Sequence, residues 1–374
     1  AGSSCGAARR SSPASRSADA AMSEHRWQER LWQDARAALP DHVWRFVTAG
    51  AREEVSLQES VRAWSQVRLY PRVLRDVRRP DPATTLLGLS VPSPVGIAPT
   101  SMQRLAHPEG ELAMARAAAS AGSVVVVSSN AGTRFEDVGA TGAAWWLQAY
   151  ATADRTLVAP AIEAAVRAGA RAVVLTVDTP VPGTKYDIDD QAFGDLSEVY
   201  GLNHPEAVRG LTPGAEHAQD LAAADLAWLQ GLTGLPIVVK GVLRADDARR
   251  CVEAGAAGGW VSNHGGRQLD RSVTTCAALP AVSAAVSGSA EVYVDGGIRS
   301  GLDVLTALAL GADGVFCGRT PYLALAAGGA ERVVSSLDLL HDELLEALRL
   351  AGCAHLCDAR GLAADGSDDT AKPL

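Results

Sequence analysis

The sequence predicts an α/β fold, a (β/α)8 barrel with N-terminal helices and a long active-site loop after the fourth strand. Three observations predict it. Eight short apolar runs recur along the chain, mostly separated by alanine-rich helical stretches. Each run is nearly continuous in its apolar character, as expected of parallel strands covered on both faces. No G-x-G-x-x-G follows the first run, which disfavours an open dinucleotide-binding sheet and a nicotinamide cofactor.

The elements follow in order. Residues 25–49 read as one or two helices, with Trp32, Ala35, Leu39, Val43 and Phe46 as apolar positions and Pro40 as a break. SLQESVRAWSQVRLYP reads as a further helix and then an extended stretch. The strand candidates are VGIAP (95–99), VVVVS (124–128), WWLQAY (145–150) and AVVLTV (172–177), then PIVVK (236–240), GGWVS (258–262), VYVDG (292–296) and GVFCG (314–318). From Asp178 to Leu235 the chain is polar and too long for a simple crossover, so part of it reads as an active-site flap. Helices around 331–350 close the ring. Residues 22–362 form one domain in this reading. Residues 1–21 read as a leader or a remnant upstream of Met22, and 363–374 as a flexible tail.

Composition narrows the class. Hydrophobic residues make up 47% of 374, enough for one large core. The net charge is -9, and no basic block marks a nucleic-acid footprint. No run is long and apolar enough to suggest a membrane span. Six cysteines are scattered without zinc-ribbon spacing, and Cys353 and Cys357 could meet across a helical turn; a reducing, cytoplasmic setting is the expectation. The eight histidines are dispersed, so no metal site is expected.

The chemistry gathers where strands end. Gln148, Tyr150, Thr176, Asp178, Lys240, Ser262, His264 and Asp295 all follow apolar runs. Polar groups leaving a core at one end of many strands are costly unless they bind something. His264 is the general-base candidate, because an imidazole titrates near neutrality and Asp178 from another strand can orient it. Arg267, three residues on, reaches the same side if the segment turns into a helix, and its planar fork suits a carboxylate; the alternative pairs it with Asp270. DGGIRSG (295–301) and the Gly318–Arg319 pair lie where barrels bind phosphate, with Arg299 and Arg319 as the cations. Lys240 fits either a Schiff-base lysine or the neutraliser of an anionic cofactor ring.

SNHGGRQLD (262–270), together with LTVDTP, VKG, IAPT, HPEGE and DGGIRSG, resembles the FMN-dependent 2-hydroxy acid oxidase and dehydrogenase family, which includes glycolate, lactate and mandelate oxidases. The resemblance runs from about residue 38 to 353 and implies a TIM barrel with FMN at its C-terminal mouth. It implies that Pro99, Thr100 and Ser101 line the flavin. Ser128, Gln148, Thr176, Lys240 and Ser262 would contact its ring or ribityl chain. Asp295, Gly297, Arg299, Gly318 and Arg319 would handle the ribityl and phosphate end. It places Lys240 at the flavin edge rather than in a Schiff base. It further implies His264 as base, Asp178 as its partner, Arg267 on the substrate carboxylate and Tyr150 on the hydroxyl. Oxygen is the implied acceptor, and a homotetramer or homo-octamer the implied assembly.

The chain departs from the family at the substrate. Phe46 stands where a tyrosine is usual, Lys185 where the flap usually supplies an arginine, and Asn130 where an aromatic is often found; Ser101 replaces a small residue. A phenyl ring cannot donate a hydrogen bond, and a lysine lacks the guanidinium fork. These changes point to an atypical or bulky 2-hydroxy acid. The alternatives are oxidation of an amino acid derivative or peptide end, and a decarboxylating monooxygenase.

Overall fold

The computed structural model describes residues 27–186, 188, 202–204 and 212–363. The predicted leader, most of the predicted tail and the centre of the predicted flap lie outside the described residues.

Three helices come first: α1 (Trp27–Ala38), α2 (Asp41–Thr48) and α3 (Val55–Gln66). Pro40 separates α1 from α2 as the sequence predicts, and Ala35, Leu39 and Val43 are buried. A hairpin follows, β1 (Thr84–Leu86) and β2 (Leu89–Val91). Eight parallel strands then close into a barrel: β3 (Val95–Ile97), β4 (Val125–Ser128), β5 (Trp145–Ala149), β6 (Val173–Thr176), β7 (Ile237–Val242), β8 (Gly258–Val261), β9 (Glu291–Val294) and β10 (Gly314–Cys317). All eight coincide with predicted runs.

The helices between them are α4 (Gly110–Ala121), α5 (Phe135–Gly139), α6 (Arg155–Arg167), α7 (Ala223–Thr233), α8 (Ala245–Glu253), α9 (Thr275–Val286), α10 (Gly301–Ala309) and α11 (Arg319–Leu350). Local chemistry sets their ends. Asp154 caps α6 through the Thr156 amide, and Ser300 and Asp303 form a reciprocal capping box on α10. The long α11 bends where Gly329 takes a φ of 64°. Cys353 and Cys357 fall beyond α11 rather than on one helical face, and both are free thiols.

The barrel interior is filled by four rings, Trp146, Trp260, Tyr293 and Phe316, all fully buried. Trp260 and Phe316 lie with ring centroids 4.2 Å apart. Glycine makes the room: a Cβ on Gly96 would sit 2.3 Å from the Phe316 ring. The hairpin was not predicted. It plugs the N-terminal end, with Leu86 buried in the same cluster and Glu291 accepting from the Leu87 amide at its turn.

Register positions the site. Ser128 stands opposite Gln148, and Thr176 opposite Lys240, so the polar ends of neighbouring strands share one level.

Candidate active site

That polar level floors a cleft at the C-terminal mouth, with a volume of about 980 Å³ counted out to its open entrance. Ser128 Oγ donates to Gln148 Oε1 (3.1 Å), and Gln148 Nε2 donates to Thr176 Oγ1 (3.0 Å). The buried Lys240 ammonium donates to Ser262 Oγ at 2.8 Å and pairs with Asp295 at 3.1 Å. Ser262 Oγ in turn donates to Asp295 at 2.7 Å. A buried ion pair held by a third polar group is satisfied internally and keeps its geometry.

His264 faces the cleft from the loop after β8. The segment does not turn into a helix there. Instead His264, Gly265 and Gly266 take consecutive φ values of 58°, 66° and 74°. This left-handed stretch turns the chain sharply and puts His264 and Arg267 on the same cleft wall. His264 Nδ1 lies 2.9 Å from Asp178 Oδ1, so an Nδ1–H donates to the carboxylate and Nε2 is the ring nitrogen outside that bond. Burial pushes the Asp178 carboxyl up, but the His264 charge and hydrogen bond, Lys240 and Thr179 outweigh it and hold the pKa at about 2. Gly241, with a φ of 111°, makes this possible, since a Cβ there would lie 2.6 Å from that of Asp178. Gln268 braces the pair: its Nε2 donates to Thr179 Oγ1 (2.8 Å), and Thr179 Oγ1 donates to Asp178 (3.1 Å).

Arg267 donates through one nitrogen to the Phe46 and Ala49 carbonyls, and its guanidinium lies 5.1 Å from the Phe46 ring centroid. The predicted alternative, an Arg267–Asp270 pair, does not form; Asp270 accepts from the Ser56 amide at the start of α3. Arg299 and Arg319 also line the cleft, and Arg319 shares the Ala49 carbonyl with Arg267. Neither Arg299 nor Arg319 makes a salt bridge among the described residues; Arg319 donates to the carbonyls of Val47, Ala49 and Gly265. Burial pushes the Arg319 guanidinium well below its ordinary pKa, and the neighbouring Arg267 and Arg299 charges add to the effect. Such uncompensated positive charge fits the phosphate of a bound nucleotide.

The profile of the FMN-dependent dehydrogenase family matches residues 35–363. The chain belongs to that family. It is an FMN-dependent oxidoreductase, and the arginines of its cleft suit that cofactor's phosphate. Glycolate oxidase 3 of Arabidopsis thaliana is 42% identical over 86% of this chain and 91% of its own length. L-lactate oxidase of a Nostoc strain is 42% identical over 87% and 94%. Among solved structures, a mandelate oxidase superposes with a TM-score of 0.84 at 39% identity, covering 89% of this chain and 96% of that one.

Most sequence-predicted residues of this family member meet at the cleft. Pro99, Thr100, Ser101, Gly297 and Gly318 are all in its lining. Four do not line it. Asp178 stands behind His264, and Ser262 is fully buried behind Lys240 rather than facing a ligand. Lys185 folds back, donating to the Gly183 carbonyl at 2.6 Å. Asn130 lies outside the cleft, its amide donating to Ser128 Oγ at 3.2 Å. Sequence reasoning missed Gln268, Gly183, Gly241 and His217. The first lies within SNHGGRQLD and Gly241 within VKG, so the motifs held a signal for those two. It also missed the flap's anchorage: Asn203 Nδ2 donates to the Ala131 and Thr133 carbonyls and His204 Nε2 to that of Ser129. Among the described residues no helix is long and apolar enough to cross a membrane, and no group of three or more His, Cys, Asp or Glu could hold a metal ion.

Proposed function

We propose that this enzyme oxidises a 2-hydroxy acid to the 2-oxo acid, with an acid bulkier than glycolate as its substrate and oxygen as the acceptor. The observation that carries the reading is the pairing of His264 with Asp178 on the same cleft wall as Arg267. Relatives named glycolate oxidase and L-lactate oxidase, and structures named mandelate oxidase, support the substrate class.

In this reading Arg267 holds the substrate carboxylate and Tyr150 the hydroxyl. His264 Nε2 takes the proton that the acid must lose, and Asp178 stabilises the imidazolium that results. FMN, when bound, accepts the two electrons and passes them to oxygen, which is reduced to hydrogen peroxide. Lys240, fixed by Ser262 and Asp295, supplies positive charge beside the cofactor, while Arg299 and Arg319 bind its phosphate. The Phe46 ring, packed on Arg267, offers an apolar plate where a tyrosine would have offered a hydroxyl. Phe46 and Tyr150 therefore favour an acid with an apolar or aromatic side chain. Lys185 and Asn130 act on the substrate from outside the cleft wall, by shaping the flap and the loop after β4. A cytoplasmic homotetramer is the form proposed for the working enzyme.

The test is anaerobic. Diverse 2-hydroxy and 2-amino acids are mixed with the yellow protein and the 450 nm region is followed, a band expected of any bound flavin. A 2-hydroxy acid is expected to bleach it, and His264→Ala to bind FMN yet bleach roughly 10²–10⁴-fold more slowly. Bleaching by amino acids alone, or at full rate in the variant, would overturn the reading. Product mass and peroxide yield then separate simple oxidation from decarboxylation.

A further inference from the structure

His217 belongs to no predicted site, yet the fold puts it between two of the strand ends that carry one. Residues 214–218 run antiparallel to 151–154. The Ala218 amide donates to the Ala151 carbonyl, the Ala153 amide to that of Glu216 and the Asp154 amide to that of Gly214, at 2.8–2.9 Å. His217 is thereby set opposite Thr152. Gly214, with a φ of 83°, permits the close approach, since its Cβ would lie 2.9 Å from that of Asp154. From this fixed backbone the His217 ring lies flat on the Tyr150 ring, with centroids 4.2 Å apart and planes 15° apart. Its Nδ1 is 2.8 Å from the Thr179 carbonyl. A carbonyl only accepts, so Nδ1 carries a proton and the imidazole plane is fixed.

We propose that His217 is a positioning residue for Tyr150, setting the plane of the phenol ring and so the direction of its hydroxyl. A tyrosine turns about two side-chain torsions, and the second swings the ring face. A flat partner locks that torsion only if the partner is itself held. The Thr179 carbonyl holds it, and Thr179 also donates to the Asp178 carboxylate. His217 thus ties the tyrosine after β5 to Asp178, the partner of His264, on the loop after β6. Rotation about the second torsion leaves the phenol oxygen on its axis but swings the plane in which the O–H lies, so locking it keeps the O–H aimed in one direction relative to the imidazole. Small misplacements of such groups lower rates steeply. His217 does this from behind Tyr150, without lining the cleft.

This inference rests on the proposed oxidation, and the experiment keeps the two apart. The limiting rate of anaerobic bleaching is measured with the acid that reduces the wild-type holoenzyme. His217→Ala is expected to lower it roughly tenfold, with FMN affinity and half-saturating acid concentration changed by less than about twofold. His217→Phe, which keeps a flat ring but not the hydrogen bond that holds it, restores part of the rate. His217→Asn, which keeps a donor near the Thr179 carbonyl without the ring, does not. In a Tyr150→Phe background, where no hydroxyl is left to aim, His217→Ala changes the rate by less than about twofold. An undiminished tenfold loss there, or rescue by Asn and not by Phe, would overturn the proposal. A crystal structure of the His217→Ala holoenzyme decides independently of any substrate. A Tyr150 ring turned from its plane supports the positioning role, and an unmoved ring refutes it even if no hydroxy acid bleaches the flavin.

Discussion

At the residue scale, the pair His264 and Asp178 is the most informative feature. An aspartate folded with a pKa of about 2, against an ordinary 3.8, binds its proton more weakly in the native state. Its contribution to stability, about 2 kcal/mol, is therefore complete above pH 3.8 and is lost as pH falls towards 2. Denaturant unfolding of the wild type and Asp178→Asn is expected to show a stability gap at about pH 4 that closes as pH falls to about 2. A gap that widened on acidification would contradict the pairing. This pair was legible in the sequence because both residues follow apolar runs. Ser262 was legible as a site residue but not as a buried strut, since a motif gives proximity and not orientation. His217 left no signal: its partner Tyr150 is 67 positions away, and only the folded return limb of the flap brings the two rings together.

At the element scale, the eight barrel strands were readable because helices cover one face of each and packed rings the other, so the apolar character is unbroken. The hairpin at 84–91 was not. Each strand has only three residues, and only Leu86 and Val91 are buried, too few for a period-two pattern to register. The turn after β8 was not legible either, because spacing alone cannot report three successive positive φ values at His264, Gly265 and Gly266. The base of the flap depends on a different constraint. A Cβ on Gly183 would lie 2.5 Å from the Arg267 carbonyl and 2.7 Å from that of Gln268, both backbone atoms. Gly183→Ala is thus expected to displace the Arg267 loop, raising the half-saturating acid concentration roughly tenfold while FMN stays bound. Steady-state kinetics with the cofactor-saturated variant check this. An unchanged value would show that the loop yields without moving Arg267.

At the scale of the whole molecule, closure of the barrel relies on matched large and small residues inside it. Gly96 faces Phe316, and the Gly258 and Gly314 positions lie close against Tyr293. Gly96→Ala is expected to destabilise the fold by about 1–3 kcal/mol through overpacking, lowering the midpoint of thermal unfolding. Adding Phe316→Leu should recover part of the loss, and scanning calorimetry of the single and double variants tests it. The Gly96–Phe316 match could not be read along the chain, because its partners come from opposite ends of the strand order and meet only when β10 pairs with β3.

The four rings and the hairpin beneath them also make the two ends of the barrel unequal. Solvent meets a sealed floor on one side and a chamber on the other. Such a chamber is a cul-de-sac. An incoming acid and its departing product cannot pass through that floor, so among the described residues both use the side that faces away from it.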